Sequence, residues 1–235
     1  MSSSQQGVVS QAANIWSNLI SGYKSEISRE FSGLTINVGA IDIDGWSGTL
    51  AQASTSSVAN SLTGGYTLST GGYISFDIND IGSLEYDGTL IGTSAHEIGH
   101  ILGLGSLWEE NGLYINNSGE YTGTEGLATY QNEFDPLAAF VPVELEGGPG
   151  TANSHWGEVK GGSFPTGITN IYGNDMQDEL MTGWASGHPF ISDTTIASLA
   201  DLGYSISAVP VPAAVWLFTS ALGILTIQAK RKQII

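Results

Sequence analysis

The sequence predicts an α+β fold with a mixed sheet, in which a regular first half meets a loop-rich second half. Three observations lead there. Helical and strand-like periodicities both occur before residue 104. Residues 105–154 hold eight glycines and little periodicity. All seven prolines lie after residue 135, which marks the second half as the less regular one.

The elements follow in chain order. Val9, Ala12, Ala13, Trp16, Leu19, Ile20, Tyr23, Ile27 and Phe31 keep the helical period, predicting a long amphipathic helix over 8–31. Thr35 to Ile41 reads as a strand. Gly71 and Gly72 introduce a second one over 73–78, where Ile74, Phe76 and Ile78 alternate with other residues. Asp87-Gly88 makes a turn, and Thr89 is placed to cap a helix whose apolar stripe is Ile91, Ala95, Ile98 and Leu102. Gly103 ends that helix. Within the loop-rich stretch, 127–140 has room for one short helix. Asp193 is placed to cap a last helix running to Leu202, with Gly203 as its stop.

The helix near residue 90 carries His96-Glu97-Ile98-Gly99-His100, an H-E-x-x-H motif. Residues four apart share one face of an α-helix, so His96 and His100 can offer two imidazole nitrogens to one metal ion. Glu97 can then reach a water on that metal, the role of the general base in zinc peptidases. The chain has only four histidines, so two of them at this spacing beside a glutamate is improbable by chance. Catalytic zinc takes a third protein ligand and leaves one position for water. In the short pattern H-E-x-x-H-x-x-G-x-x-H that ligand would stand at 106, where this chain has Ser106. His155 and His188 remain as candidates. His155 is followed by Trp156, and downstream comes Glu179-Leu180-Met181-Thr182-Gly183, whereas His188 sits in the turn-like Ser186-Gly187-His188-Pro189.

The order H-E-x-x-H-x-x-G, a long insertion, a His-Trp segment and then E-L-M-T-G resembles the leishmanolysin family of metzincin peptidases, in its short bacterial form. The likeness runs from about Gly65 to about Ser207. It implies a bilobed zincin fold, zinc held by His96, His100 and His155, Glu97 as base, Met181 in a turn beneath the metal, and a protein or peptide substrate. It also implies that the strand before the motif helix, here 73–78, borders the cleft and pairs with extended substrate. Two residues after the turn methionine, where some metzincins carry a tyrosine, this chain has Gly183. The implied division is 1–104 ending in the zinc helix, 105–154 as insertion, 155–207 with third ligand, methionine turn and last helix, and 208–235 as a separate tail. The rival reading is a cell-surface or matrix protein that keeps the zinc fold without catalysis.

Composition bounds these readings. With 23 acidic against 6 basic residues the net charge is −17, which repels phosphate backbones and excludes nucleic acid as a partner. There is no cysteine, hence no disulfide framework and no thiolate ligand. Nucleotide-binding glycine loops and the G-x-S-x-G elbow are absent. Asp42-Ile43-Asp44-Gly45 admits two readings, the start of a Ca2+ loop or a solvated turn.

In the tail, Val209-Pro210-Val211-Pro212 breaks the chain, Ala213 to Ile227 is apolar, and Lys230-Arg231-Lys232 closes it. Val209 to Ile227 gives a span of 19 residues, predicting a transmembrane helix with a cytoplasmic C-terminus. Together these features resemble the PEP-CTERM sorting signal, although the motif proper has glutamate where this chain has Val211. The resemblance implies a Gram-negative bacterial envelope, a membrane anchor and processing by an exosortase, with the protein ending at the cell surface or secreted. Met1 to Gly7 lacks the features of a signal peptide, which implies a truncated or misassigned start.

Overall fold

The computed structural model describes residues 1–158 and 167–207. Helix α1 spans Ser3–Leu19 and opens on a capping box, in which the Gln5 N–H donates to the Ser2 hydroxyl and the Ser2 N–H donates back to the Gln5 side chain. Its buried face is Val9, Ala12, Trp16 and Leu19. The predicted helix over 8–31 stops short, because Ile20–Tyr23 turns extended as strand β1. There the chain pairs antiparallel with a strand at the far end of the fold, Tyr204–Ile206. Gly22 takes φ 149°, and Ile27 and Phe31 pack from an irregular turn instead of a helix.

Strands β2 (Thr35–Ile41), β3 (Ala51–Asn60) and β4 (Thr67–Asp77) form a mixed sheet in the order β2-β4-β3. β2 runs parallel to β4, whereas β3 runs antiparallel to it. The strand expected over 73–78 is therefore part of the central one, and β2 and β3 are the edges. β3 lacks a visible signal because its inward residues are Ala51, Ala53 and Thr55, alternating with Gln52, Ser54 and Ser56. The contrast between its faces is one of size more than hydropathy.

Helix α2 (Ile81–Asp87) leads into α3 (Leu90–Leu102), which ends as expected on left-handed Gly103. Thr89 precedes α3 but makes no side-chain cap. The buried residues of α3 include Leu90, Ala95, Ile98, Ile101 and Leu102, and Trp16 of α1 donates its indole N–H to the Ala95 carbonyl at 2.8 Å. Beyond α3 the chain is mostly loops, with α4 (Thr124–Glu133), a short hairpin of β5 (Glu120–Tyr121) and β6 (Val141–Pro142), one 3-10 turn (Met176–Asp178), α5 (Asp193–Asp201) and β7 (Tyr204–Ile206). The cap of α5 is Ser192, whose hydroxyl accepts from the Thr195 N–H, rather than Asp193. Trp108 and Trp156 stack in this half at 4.5 Å between ring centroids, and Tyr121 packs edge-on against both.

The acidic loop at 42–45 is organised from within. Buried Asp77 accepts N–H bonds from Ile43, Asp44, Gly45 and Asn79, while the Asp44 carboxylate accepts from the Thr49 N–H. The backbone N–H groups of Asn79 and Asp44 hold the Asp77 carboxyl well below its usual range. These donors supply what a cation would supply, and they fix the loop leading into β3.

The transmembrane helix must be corrected. Among the described residues no helix is long and apolar enough to cross a membrane. The longest of them, α1, has 17 residues and is apolar on one face only. The segment 209–227, on which that expectation rested, lies outside the described residues.

Candidate metal centre

Helix α3 places His96 and His100 one turn apart, and the chain before Trp156 brings His155 against both. Their Nε2 atoms stand 3.0 Å (His96–His100), 3.1 Å (His100–His155) and 3.1 Å (His96–His155) apart. Each ring is fixed from behind. Nδ1 of His96 meets the Leu180 carbonyl at 2.6 Å, that of His100 the Leu104 carbonyl at 2.9 Å, and that of His155 the Thr151 carbonyl at 2.8 Å. A carbonyl only accepts, so each Nδ1 carries the proton and each Nε2 presents a lone pair.

Three lone pairs thus converge with no proton between them, an arrangement that is repulsive unless a cation sits among them. Burial lowers the pKa of all three rings, His155 to about 3 and His100 well below its ordinary value, so none carries its own positive charge at neutral pH. The three residues are close enough to hold one metal ion, and no other cluster of His, Asp or Glu among the described residues is. Ser106 donates its hydroxyl to the His100 carbonyl, closing the end of α3. His188 is exposed and stands apart from the triad.

Glu97 is 6% exposed, and its carboxyl makes no hydrogen bond to any described residue. It faces a cleft of about 820 Å³ that the three histidines also line. Burial pushes the Glu97 carboxyl up to about 8, so its ionisation at neutral pH depends on nearby positive charge. One wall of the cleft is Leu50 and the beginning of β3, Ala51 to Ala53; the other includes Thr151, Ser154 and Thr182 to Ser186. Glu97 is the one acid among the described lining residues, and they include no lysine or arginine.

Two glycines bring the pieces together. Gly99, between the two helix histidines, lies against Met181: a Cβ there would stand 2.6 Å from the Met181 sulfur. Met181 is itself buried, at 1% exposure. Gly105 (φ +74°) is tighter, since a Cβ would meet the Ser154 carbonyl oxygen at 1.9 Å, one residue from His155. Gly105→Ala is therefore expected to cost roughly 2–4 kcal/mol and to weaken metal binding at least tenfold by displacing His155. Gly112→Ala, at similar φ but with open space around it, should cost only about 1 kcal/mol and leave metal affinity unchanged. Chemical denaturation and metal titration of both variants check this.

Three residues beyond His155, Glu158 is buried with neither oxygen hydrogen-bonded. Burial and the carboxylates of Glu144, Asp175 and Asp178 raise its pKa to about 7. The unfolded chain releases this proton near 4.5 and the folded one near 7, so the group costs increasing stability across that window and its full cost above it. Glu158→Gln should raise Tm at pH 8 and give no gain below pH 4.5, as thermal melts at the two pH values would show.

Sequence periodicity could not reveal Gly105 or the cleft-side edge of β3, since both depend on segments far apart in the chain. No family model matches the chain and no curated protein matches it, so its functional reading rests on the geometry of this centre.

Proposed function

We propose that this chain is a zinc-dependent endopeptidase of the metzincin kind, resembling the leishmanolysin family. The observation that carries the reading is the convergence of three unprotonated imidazole nitrogens beside an unbonded buried carboxyl, at the base of a cleft walled by a strand edge. Spacings of 3.0–3.1 Å lie near the roughly 3.3 Å edge of a tetrahedron with zinc–nitrogen bonds. Nitrogen-only donors also favour zinc over calcium or magnesium. His96, His100 and His155 would hold the ion, which when bound supplies Lewis acidity toward water and toward the scissile carbonyl.

The chain's own residues do the rest. The Leu180, Leu104 and Thr151 carbonyls keep the three rings in the tautomer that frees Nε2. Glu97 takes a proton from the attacking water on its carboxylate oxygen and delivers it to the leaving amine. The outer edge of β3 pairs with no other described strand, so its start at Ala51 to Ala53 offers main-chain groups to an extended peptide. This replaces 73–78 as the substrate-pairing strand.

The test is zinc stoichiometry together with cleavage of a casein-type substrate by the full chain. One zinc per chain with cleavage abolished by a chelator and restored by zinc is the expected result. The rival, a surface protein with a silent centre, draws support from Gly183, which offers no side chain where some metzincins carry a tyrosine. One zinc per chain without cleavage of any protein substrate would favour that rival.

A further inference from the structure

Glu179 is the most completely buried acid near the centre, at 1% exposure, and its carboxylate accepts four hydrogen bonds. One oxygen accepts from the Ser192 N–H (3.1 Å), the Ser192 hydroxyl (2.9 Å) and the Thr195 hydroxyl (2.6 Å). The other accepts from the Met181 N–H at 2.5 Å. The carboxylate thereby joins the cap of α5 to the methionine turn.

Two of the metal-facing histidines hang from this knot. The peptide bond that supplies the Met181 N–H also carries the Leu180 carbonyl, and that carbonyl fixes Nδ1 of His96. On the other side, the Thr195 hydroxyl accepts from the indole N–H of Trp156 at 2.7 Å, while the Trp156 backbone N–H donates to the Met181 carbonyl at 3.0 Å. Trp156 is the neighbour of His155. A group with both of its oxygens engaged by donors is thus shared between the supports of a ring on α3 and of a ring on the distant loop.

We infer that Glu179 is a positioning residue that sets the relative placement of His96 and His155, and through it the metal affinity of the centre. The role depends on the triad holding a metal and not on peptide hydrolysis. Groups hydrogen-bonded behind metal ligands typically change affinity by about 10–100-fold when altered. Glutamine at 179 keeps the shape but turns an N–H toward either the Met181 N–H or the α5 cap, so one of the two links opens.

The experiment compares Glu179→Gln with Glu133→Gln in the full chain. Glu133 is the matched control: it too is buried and accepts from the Thr194 N–H, the Thr194 hydroxyl and the Asn170 amide, but it touches no histidine support. Zinc affinity is read by competition with a chromophoric chelator, the ligand field by the visible spectrum of the cobalt-loaded protein, and stability by the metal-free Tm. Both variants should lose Tm, whereas only Glu179→Gln should lose affinity, by tenfold or more, with a shifted cobalt spectrum. Equal affinities in the two variants, whether both fall or both hold, would overturn the inference. If Glu179→Gln does not fold, Thr195→Val, which removes only the hydroxyl between Glu179 and Trp156, carries the test. A threefold or greater loss of affinity in Thr195→Val supports the role, and parent-like affinity rejects it.

Discussion

Glu97→Gln is expected to bind zinc as the parent does and to hydrolyse peptide about 10²–10⁴-fold more slowly. The side chain keeps its shape, and no described residue depends on it for a hydrogen bond, so the fold and the three rings should be untouched. What disappears is the acceptor for the water proton. The amide cannot take that proton, nor return one to the leaving nitrogen. Stopped assays on zinc-loaded protein, with metal content measured on the same samples, separate the two effects. Turnover near that of the parent in fully loaded Glu97→Gln would remove the mechanism proposed here.

The second large effect belongs to His155. His155→Ala should lower zinc affinity by more than about 100-fold, beyond the range expected for groups that only support a ligand. Two nitrogens on one helix turn still chelate, but the closing contact comes from a ring 55 residues along the chain from His100. His188→Ala should change nothing measurable, because that ring is exposed and outside the cluster. Equilibrium metal competition on both variants decides the matter. An unchanged constant for His155→Ala would mean that the convergence of the three nitrogens has another cause.

Much of this centre was legible in the residues because its signals are local. The helix Leu90–Leu102 announces itself by its stripe and by Gly103, and the four-residue spacing of His96 and His100 is a property of any helix. His155 stood out from His188 only through a resemblance in the order of segments, since nothing local to it marks a ligand. Elements that failed to show themselves depend on distant partners. Ile20 and Tyr23 continue a helical rhythm and yet form a strand, because Ile206 and Tyr204 are there to pair with them. Ala51, Ala53 and Thr55 are buried enough to form an edge but too small to mark one. Glu179 reads as an ordinary acid in a turn. Its meaning comes from Ser192 and Thr195, 13 and 16 residues away, arriving as donors.

The origin of the three rings has a further consequence, for the chain as a polymer. Two come from one helix turn, and the third returns 55 residues later, after a stretch that is mostly loops. An ion gripped by all three closes that stretch into a ring of covalent and coordinate bonds, in the manner of a crosslink. The entropy of the open chain falls accordingly, by an amount that grows only slowly with loop length. Binding to the folded form alone adds RT ln(1 + [L]/Kd) to stability. The metal supply would then govern how long each molecule survives as well as what it does. A chain deprived of the ion loses that closure between His100 and His155, and limited proteolysis with and without metal should read the difference as faster cutting of the metal-free form.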